Sequence, residues 1–350
     1  MTSEISWFSA LCDDDYEFLG DPDPNLRSSW AHCRNIVTAA ETGGFDNILL
    51  PSGYALGIDG TAFAAGIAAI TNRIKLLLAV RCGEMWPPQL ARQLATLDQM
   101  LQGRLTINII SSDMPGETRD GLERYARTLE VMHILKELLS GRPINHQGEF
   151  YQLELDPPRI CAERTDCPPF YFGGLSPPAL DVAAKAADVF LMWPSTEDKV
   201  QAILDDVRGR AASEGRTLRY GYRAHIVIGE TEDEARARCR RLLSHFDADA
   251  GGAIRSKSLD AATFGVAKQA ELRAAADDEG FVEDGLWTGI GRARSGAGAA
   301  IVGDPDQVLA KIRRYEAMGF DSFILSGYPH IAECDLFARY VLPELKKPAA

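Results

Sequence analysis

Two basic side chains stand two residues apart in Arg219-Tyr-Gly-Tyr-Arg223-Ala-His225-Ile-Val-Ile-Gly229. The stretch is rich in β-branched and aromatic residues and closes on Gly229 and an acidic, helix-starting run, so it reads as a β-strand. Side chains two apart on a strand share a face, which points Arg223 and His225 the same way. A guanidinium buried on that face needs a counter-charge, and no carboxylate lies nearby in sequence. An anion, or negative charge built up in a reaction, would answer both donors. On these residues alone, a solvated strand end or an acidic residue from a neighbouring strand answers them equally well.

Other groups carry chemistry at similar places. Phe172-Gly173-Gly174-Leu175-Ser176 follows a strand-like run and precedes a helix-like one. Glycines there admit a ligand to the backbone, and the free N–H groups of a helix start suit a phosphate, although any tight turn uses the same residues. Ser111, Ser112 and Asp113 close another strand, and Glu123-Arg124-Tyr125 opens the next helix. These hydroxyl, carboxylate and phenol groups suit a heterocycle or phosphate, or serve only as caps. Leu325-Ser326-Gly327-Tyr328-Pro329-His330 ends the last strand: Tyr328 can donate to an anion or pack with a wet tip, and His330 reads as a cap or a surface residue. Trp193, and Trp86 beside Pro87, would stack on a ligand or plug a barrel mouth. No Ser-His-Asp order, Walker loop or dinucleotide fingerprint is present.

The elements that must hold these residues alternate regularly. Strand-like runs fall near 4–10, 46–50, 74–80, 105–110, 169–172, 189–192, 219–229 and 322–325. Helix-like runs fall near 27–42, 59–70, 87–101, 122–139, 178–186, 197–214, 233–244 and 331–345. The strands are apolar throughout rather than alternating, as buried parallel strands are. Eight such pairs favour a closed α/β (β/α)₈ TIM barrel over an open sheet, with residues 1–350 as one domain. Residues 141–168 and 247–302 do not fit the repeat. Insertions of that length are commonly functional, and the second, placed before the last strand and carrying Arg292 and Arg294, reads as a mobile lid over the active site.

Composition narrows the partners. A net charge of −13 argues against nucleic acid, and it makes a local cationic cluster more informative because the overall field repels anions. No run of about 18 apolar residues could span a bilayer, and Met1-Thr-Ser-Glu lacks the basic start of a leader peptide. A cytoplasmic protein with no membrane partner is expected. The seven cysteines are scattered, with no CxxC, and the six histidines form no ligand cluster, so reduced thiols and no metal are expected.

Several stretches resemble a known family. Ala91 to Asp98 (ARQLATLD), Gly103-Arg-Leu105, Glu123-Arg-Tyr125, Tyr171-Phe-Gly-Gly174 and Arg223-Ala-His225 carry the likeness, with Leu286 to Gly291, Arg294-Ser-Gly-Ala-Gly298 and Asp321 to His330. From Trp7 to Leu345 the chain resembles the bacterial luciferase-like flavin monooxygenases, specifically the two-component alkanesulfonate monooxygenases. That resemblance implies a TIM barrel that takes reduced FMN (FMNH2) from a separate NAD(P)H-dependent flavin reductase. It implies O2 as cosubstrate, a peroxyflavin, and cleavage of a small-molecule sulfonate to sulfite and an aldehyde. It assigns Arg223, His225, Arg294 and Tyr328 to the cluster around substrate and flavin, and Trp193 to an aromatic wall. Ser111, Asp113, Tyr125, Gly174, Leu175, Ser176 and Gly327 are the flavin-binding candidates. A homo-oligomer, dimer or tetramer, is usual in the family.

This chain departs from the family at the pocket. The loop Tyr54-Ala-Leu-Gly-Ile-Asp59 lacks the family cysteine, Cys12 stands near a family histidine, and Gly121-Leu122 replaces His-Ser. A bulkier sulfonated sugar such as sulfoquinovose is therefore an alternative to a linear alkanesulfonate, with Arg81, Trp86 and Arg292 as partners for its hydroxyls. Rival readings are a deazaflavin (F420)-dependent oxidoreductase, a dimethylsulfone-type monooxygenase, a non-catalytic flavin-binding protein, or a barrel acting on phosphorylated sugars. A neutral substrate leaves the cationic set unexplained.

Overall fold

The computed structural model describes residues 2–117, 119–162, 166–257 and 263–347. Eight parallel strands close on themselves: β1 (Glu4–Phe8), β2 (Asn47–Leu50), β3 (Lys75–Arg81), β4 (Leu105–Ile110), β5 (Phe170–Gly173), β6 (Val189–Met192), β7 (Arg219–Ile228) and β8 (Ser322–Ser326). Each pairs with the next, and β8 returns to β1 with Ser322 opposite Glu4 and Ile324 opposite Ser6. The expected barrel is the one observed. Its strands are apolar on both faces because both are covered. Ile5, Trp7, Ile48, Leu76 and Leu78 pack outward against the helices, while Phe8, Leu49, Leu77, Tyr171, Leu191 and Ile324 fill the interior. Two interior polar groups are paired: Asn47 Nδ2 donates to Thr106 Oγ1 at 3.0 Å and Tyr171 OH to Glu4 at 2.6 Å.

The outer layer is α1 (Trp30–Gly43), α2 (Gly60–Ala68), α3 (Pro87–Met100), α4 (Gly121–Leu139), α5 (Pro177–Ala186), α6 (Glu197–Ser213), α7 (Glu232–Leu242), α8 (Pro305–Met318) and α9 (His330–Tyr340). Helix α8 has no counterpart in the expected order. Its signals are nonetheless strong: a reciprocal capping box between Asp304 and Gln307, Pro305 at the first turn, and Gly319 at φ 108° after the last. The earlier insertion holds a hairpin, Ile144–Gln147 against Gln152–Leu155.

The later insertion is largely ordered structure. Helices Ala248–Ser256 and Phe264–Ala274 are followed by strands Phe281–Glu283, Leu286–Trp287 and Ala300–Gly303. The last of these pairs with β7 from His225 to Ile228, whereas β8 pairs with β7 from Gly221 to His225. Strand β7 is thus ten residues long because it serves the barrel with its first half and the insertion with its second. The insertion is tied to the strand that carries Arg223 and His225.

Candidate active site

The C-terminal ends of the strands open into a cavity of about 300 Å³, the usual location and size for a ligand site in this architecture. Phe8, the last residue of β1, lies on its floor. Two guanidiniums lie over its ring, Arg223 at 4.5 Å and Arg294 at 4.8 Å from the centroid. Strand alternation brings Arg223 inward from β7. Arg294 arrives from the insertion, in the segment between the short 3₁₀ turn Gly289–Arg292 and the strand beside β7.

The two arginines are compensated differently. Arg294 forms an ion pair with Asp14 and donates to Tyr328 OH at 3.1 Å. Burial opposes its charge, but Tyr328 and Asp14 outweigh burial and hold its pKa above the ordinary value. Arg223 is 4% exposed and donates only to neutral acceptors: Ala224 O at 2.6 Å, Ile324 O at 3.4 Å and Ser326 Oγ at 2.8 Å. Among the described residues it has no carboxylate partner. Burial first, then the Arg294 charge, pulls it down to about 9. It remains protonated at neutral pH, a desolvated charge waiting for an anion.

His225 stands beside Arg223 on the same face, but behind it, fully buried and off the cavity wall. Its Nδ1 lies 2.9 Å from Ser326 Oγ. Ser326 Oγ also accepts from Arg223, so one hydroxyl joins the imidazole to the guanidinium. Burial, then Arg223 and Arg294, pushes the imidazole pKa well below its ordinary value, so the ring is neutral. Tyr328 stacks on it at 5.2 Å and is buried too, its phenol pushed up to about 12 by burial with Arg294 opposing.

The loop after β1 is fixed by Asp15. Its Oδ1 accepts from the His330 backbone at 2.9 Å and faces the His330 ring at 3.0 Å, and its Oδ2 faces His32 at 2.8 Å. That grip delivers the adjacent Asp14 to Arg294. His330 is therefore neither a cap nor a surface residue: it is fully buried, and Pro329 occupies the cap position.

Trp193, one residue past β6, lines the cavity, as do Ser111, Tyr125, Gly174 and Leu175. A Cβ at Gly265 of the insertion would lie 2.9 Å from the indole, so the insertion packs directly on Trp193. Ser176 is the N-cap residue of α5, and its hydroxyl, like that of Ser111, is buried without a partner. Gly174 takes φ 156°, and a Cβ there would lie 2.6 Å from Ala179 Cβ of α5 and 3.5 Å from the Tyr125 hydroxyl, so the turn packs closely on the helix. Two candidates lie apart from these. Asp113 is paired with Arg124 at 2.7 Å, and Gly327 is the spot where Glu333 of α9 packs onto the backbone. Of the basic and aromatic residues considered for sugar hydroxyls, Arg81 lines the cavity, paired with Glu84 at 2.9 Å. Trp86 instead packs on Tyr151, and Arg292 covers Phe246 at 4.5 Å.

Sequence reading passed over Asp14, Phe8 and Ser326. A signal existed for Asp14, in the run Asp13-Asp14-Asp15 just past the first strand end, where barrel sites are built. Among the described residues no group of three His, Cys, Asp or Glu side chains is placed to hold a metal ion, and no helix is long and apolar enough to cross a membrane.

Residues 17–322 match the profile of the luciferase-like monooxygenases. A sulfoquinovose monooxygenase of Novosphingobium aromaticivorans is 65% identical over 349 residues, covering 98% of this chain and 96% of that protein. A sulfoquinovose monooxygenase of Agrobacterium fabrum is 50% identical, covering 98% of this chain and 90% of that protein. A riboflavin lyase solved with modified FMN and riboflavin superposes with a TM-score of 0.80 at 16% identity, covering 99% of this chain and 92% of that one. The chain belongs to the luciferase-like monooxygenase family.

Proposed function

We propose that this enzyme uses reduced FMN and O2 to desulfonate sulfoquinovose, releasing sulfite and leaving an aldehyde at the former sulfonate carbon. The relatives named for that activity, at 65% and 50% identity across nearly the whole chain, support the substrate. The observation that carries the reading is Arg223, a buried guanidinium with no carboxylate partner among the described residues, on the cavity floor beside Arg294. A sulfonate is a monoanion whose oxygens accept from both forks.

The residues present fit a flavin. The unpartnered hydroxyls of Ser111 and Ser176 and the N-terminus of α5 suit its polar and phosphate ends, with Gly174 and the Tyr125 phenol alongside. Bound reduced flavin supplies the electrons that activate O2. The chain's own groups do the rest. Arg223 and Arg294 hold the sulfonate, neutral Tyr328 accepts from Arg294 and fixes its fork, and Trp193 with the insertion shuts out water. A separate NAD(P)H-dependent reductase is the partner that delivers the flavin, and cytoplasmic placement suits both cosubstrates.

Sulfite release tests this reading, with purified enzyme, a flavin reductase, FMN, NADH, O2 and sulfonates running from ethane- and octanesulfonate to sulfoquinovose. Sulfite chiefly from sulfoquinovose is the expected result. Sulfite from the linear sulfonates alone would overturn the substrate, and sulfite from none would overturn the reaction.

A further inference from the structure

Among the described residues Asp14 is the one acidic side chain on the cavity wall, and its position has a chemical consequence. It pairs with Arg294 through Oδ2, while Oδ1 is buried without a partner. Asp15, held by His330 and His32, keeps the carboxylate there. The floor thus holds two guanidiniums and one carboxylate, a net single positive charge located at Arg223.

We infer that Asp14 sets the charge selectivity of the cavity, so that it takes monoanionic ligands and rejects dianions of the same shape. This rests on the sulfosugar reading above. The neighbouring groups add no further charge to the floor. His225 is held neutral by burial and the two arginines, and Tyr16 and Tyr328 are held protonated, chiefly by burial. Arg81 is answered by Glu84, and Lys257 stands at the exposed mouth. A sulfonate or sulfate ester entering this floor cancels the Arg223 charge and leaves a neutral buried cluster. A phosphate ester, carrying a second charge above its pKa of about 6, leaves one negative charge desolvated and unpaired, which is strongly unfavourable. A site built for phosphosugars would have no use for Asp14.

Glucose 6-sulfate and glucose 6-phosphate isolate this effect, since at pH 8 they differ in charge and scarcely in shape. Calorimetric titration of the FMN-loaded enzyme should show the sulfate bound at least about tenfold more tightly than the phosphate. Asp14→Asn should move that ratio by about tenfold or more toward the phosphate, and Asp14→Glu should keep the wild-type preference. Equal binding of the two esters by the wild type would overturn the inference, as would an unchanged ratio in Asp14→Asn. The wild-type comparison needs no variant, so a folding defect cannot mask the answer. Sulfite release from sulfoquinovose, measured separately, distinguishes failure of this inference from failure of the proposed reaction.

Discussion

Replacing Arg223 by Met should make the protein more stable and nearly inactive. The guanidinium is 4% exposed and, among the described residues, has no carboxylate partner and bonds only two carbonyls and one hydroxyl. Its pKa of about 9 lies below its ordinary range, so the folded state binds its proton less tightly than the unfolded chain does. The penalty is therefore full below pH 9 and shrinks only as pH rises above it. An unbranched apolar side chain of similar length removes that penalty and keeps contact with Phe8, while Ser326 retains His225 as a partner. Swapping buried charge for well-packed apolar volume commonly gains about 1–4 kcal/mol, here reduced by the lost hydrogen bonds to about 1–3 kcal/mol. For a chain of this length that is a rise in Tm of about 1–4 °C. Activity moves the other way. Each charge-assisted hydrogen bond to the sulfonate is worth about 1.5–3 kcal/mol, so losing a bidentate fork lowers kcat/KM about 10²- to 10³-fold or more. Arg223→Lys keeps the charge without the fork and should fall between. Thermal melts of the apo protein and sulfite kinetics read the two effects separately. A lower Tm in Arg223→Met, or kcat/KM within threefold of wild type, would refute the account of Arg223 as an uncompensated charge held for an anion.

Arg294→Ala should uncouple the enzyme: NADH oxidation by the reductase couple continues, peroxide rises, and sulfite per NADH falls about tenfold, since the side chain links the insertion to the floor. Unchanged coupling would remove the lid role. Gly57→Ala should destabilise by about 2 kcal/mol or more, because φ is 85° and a Cβ would collide with the Leu11 carbonyl in the loop that carries Asp14; a wild-type melting curve would contradict this. Glu333 is fully buried, and burial lifts its pKa to about 7 with Arg238 opposing. A raised carboxyl favours the folded state below its unfolded pKa, an advantage lost as pH climbs through 7. Glu333→Gln should therefore gain stability relative to wild type by about 2–3 kcal/mol between pH 5 and pH 8 in urea melts. A flat difference would mean that Arg238 keeps the carboxylate ionised throughout.

Much of this architecture is written locally. Apolar runs of strand length alternating with amphipathic helices specify a closed barrel, because parallel strands covered on both faces can be apolar throughout. The two-residue spacing of Arg223 and His225 dictates a shared inward face wherever the strand ends up. Helix α8 was equally legible, in Pro305, the Asp304–Gln307 box and Gly319, but it lies against a long insertion whose low periodicity hides it.

What the sequence by itself determined is the barrel's strands, the face each strand side chain takes, and the presence of an arginine, an imidazole and a phenol at or near strand ends with a second arginine in the insertion. Only the tertiary structure decided how these groups are paired. Asp14 meets Arg294 across 280 positions of chain, and Ser326 bridges Arg223 and His225 across 103 and 101. Counter-charge and desolvation are properties of neighbours in space, and a barrel makes neighbours of its first and last strands.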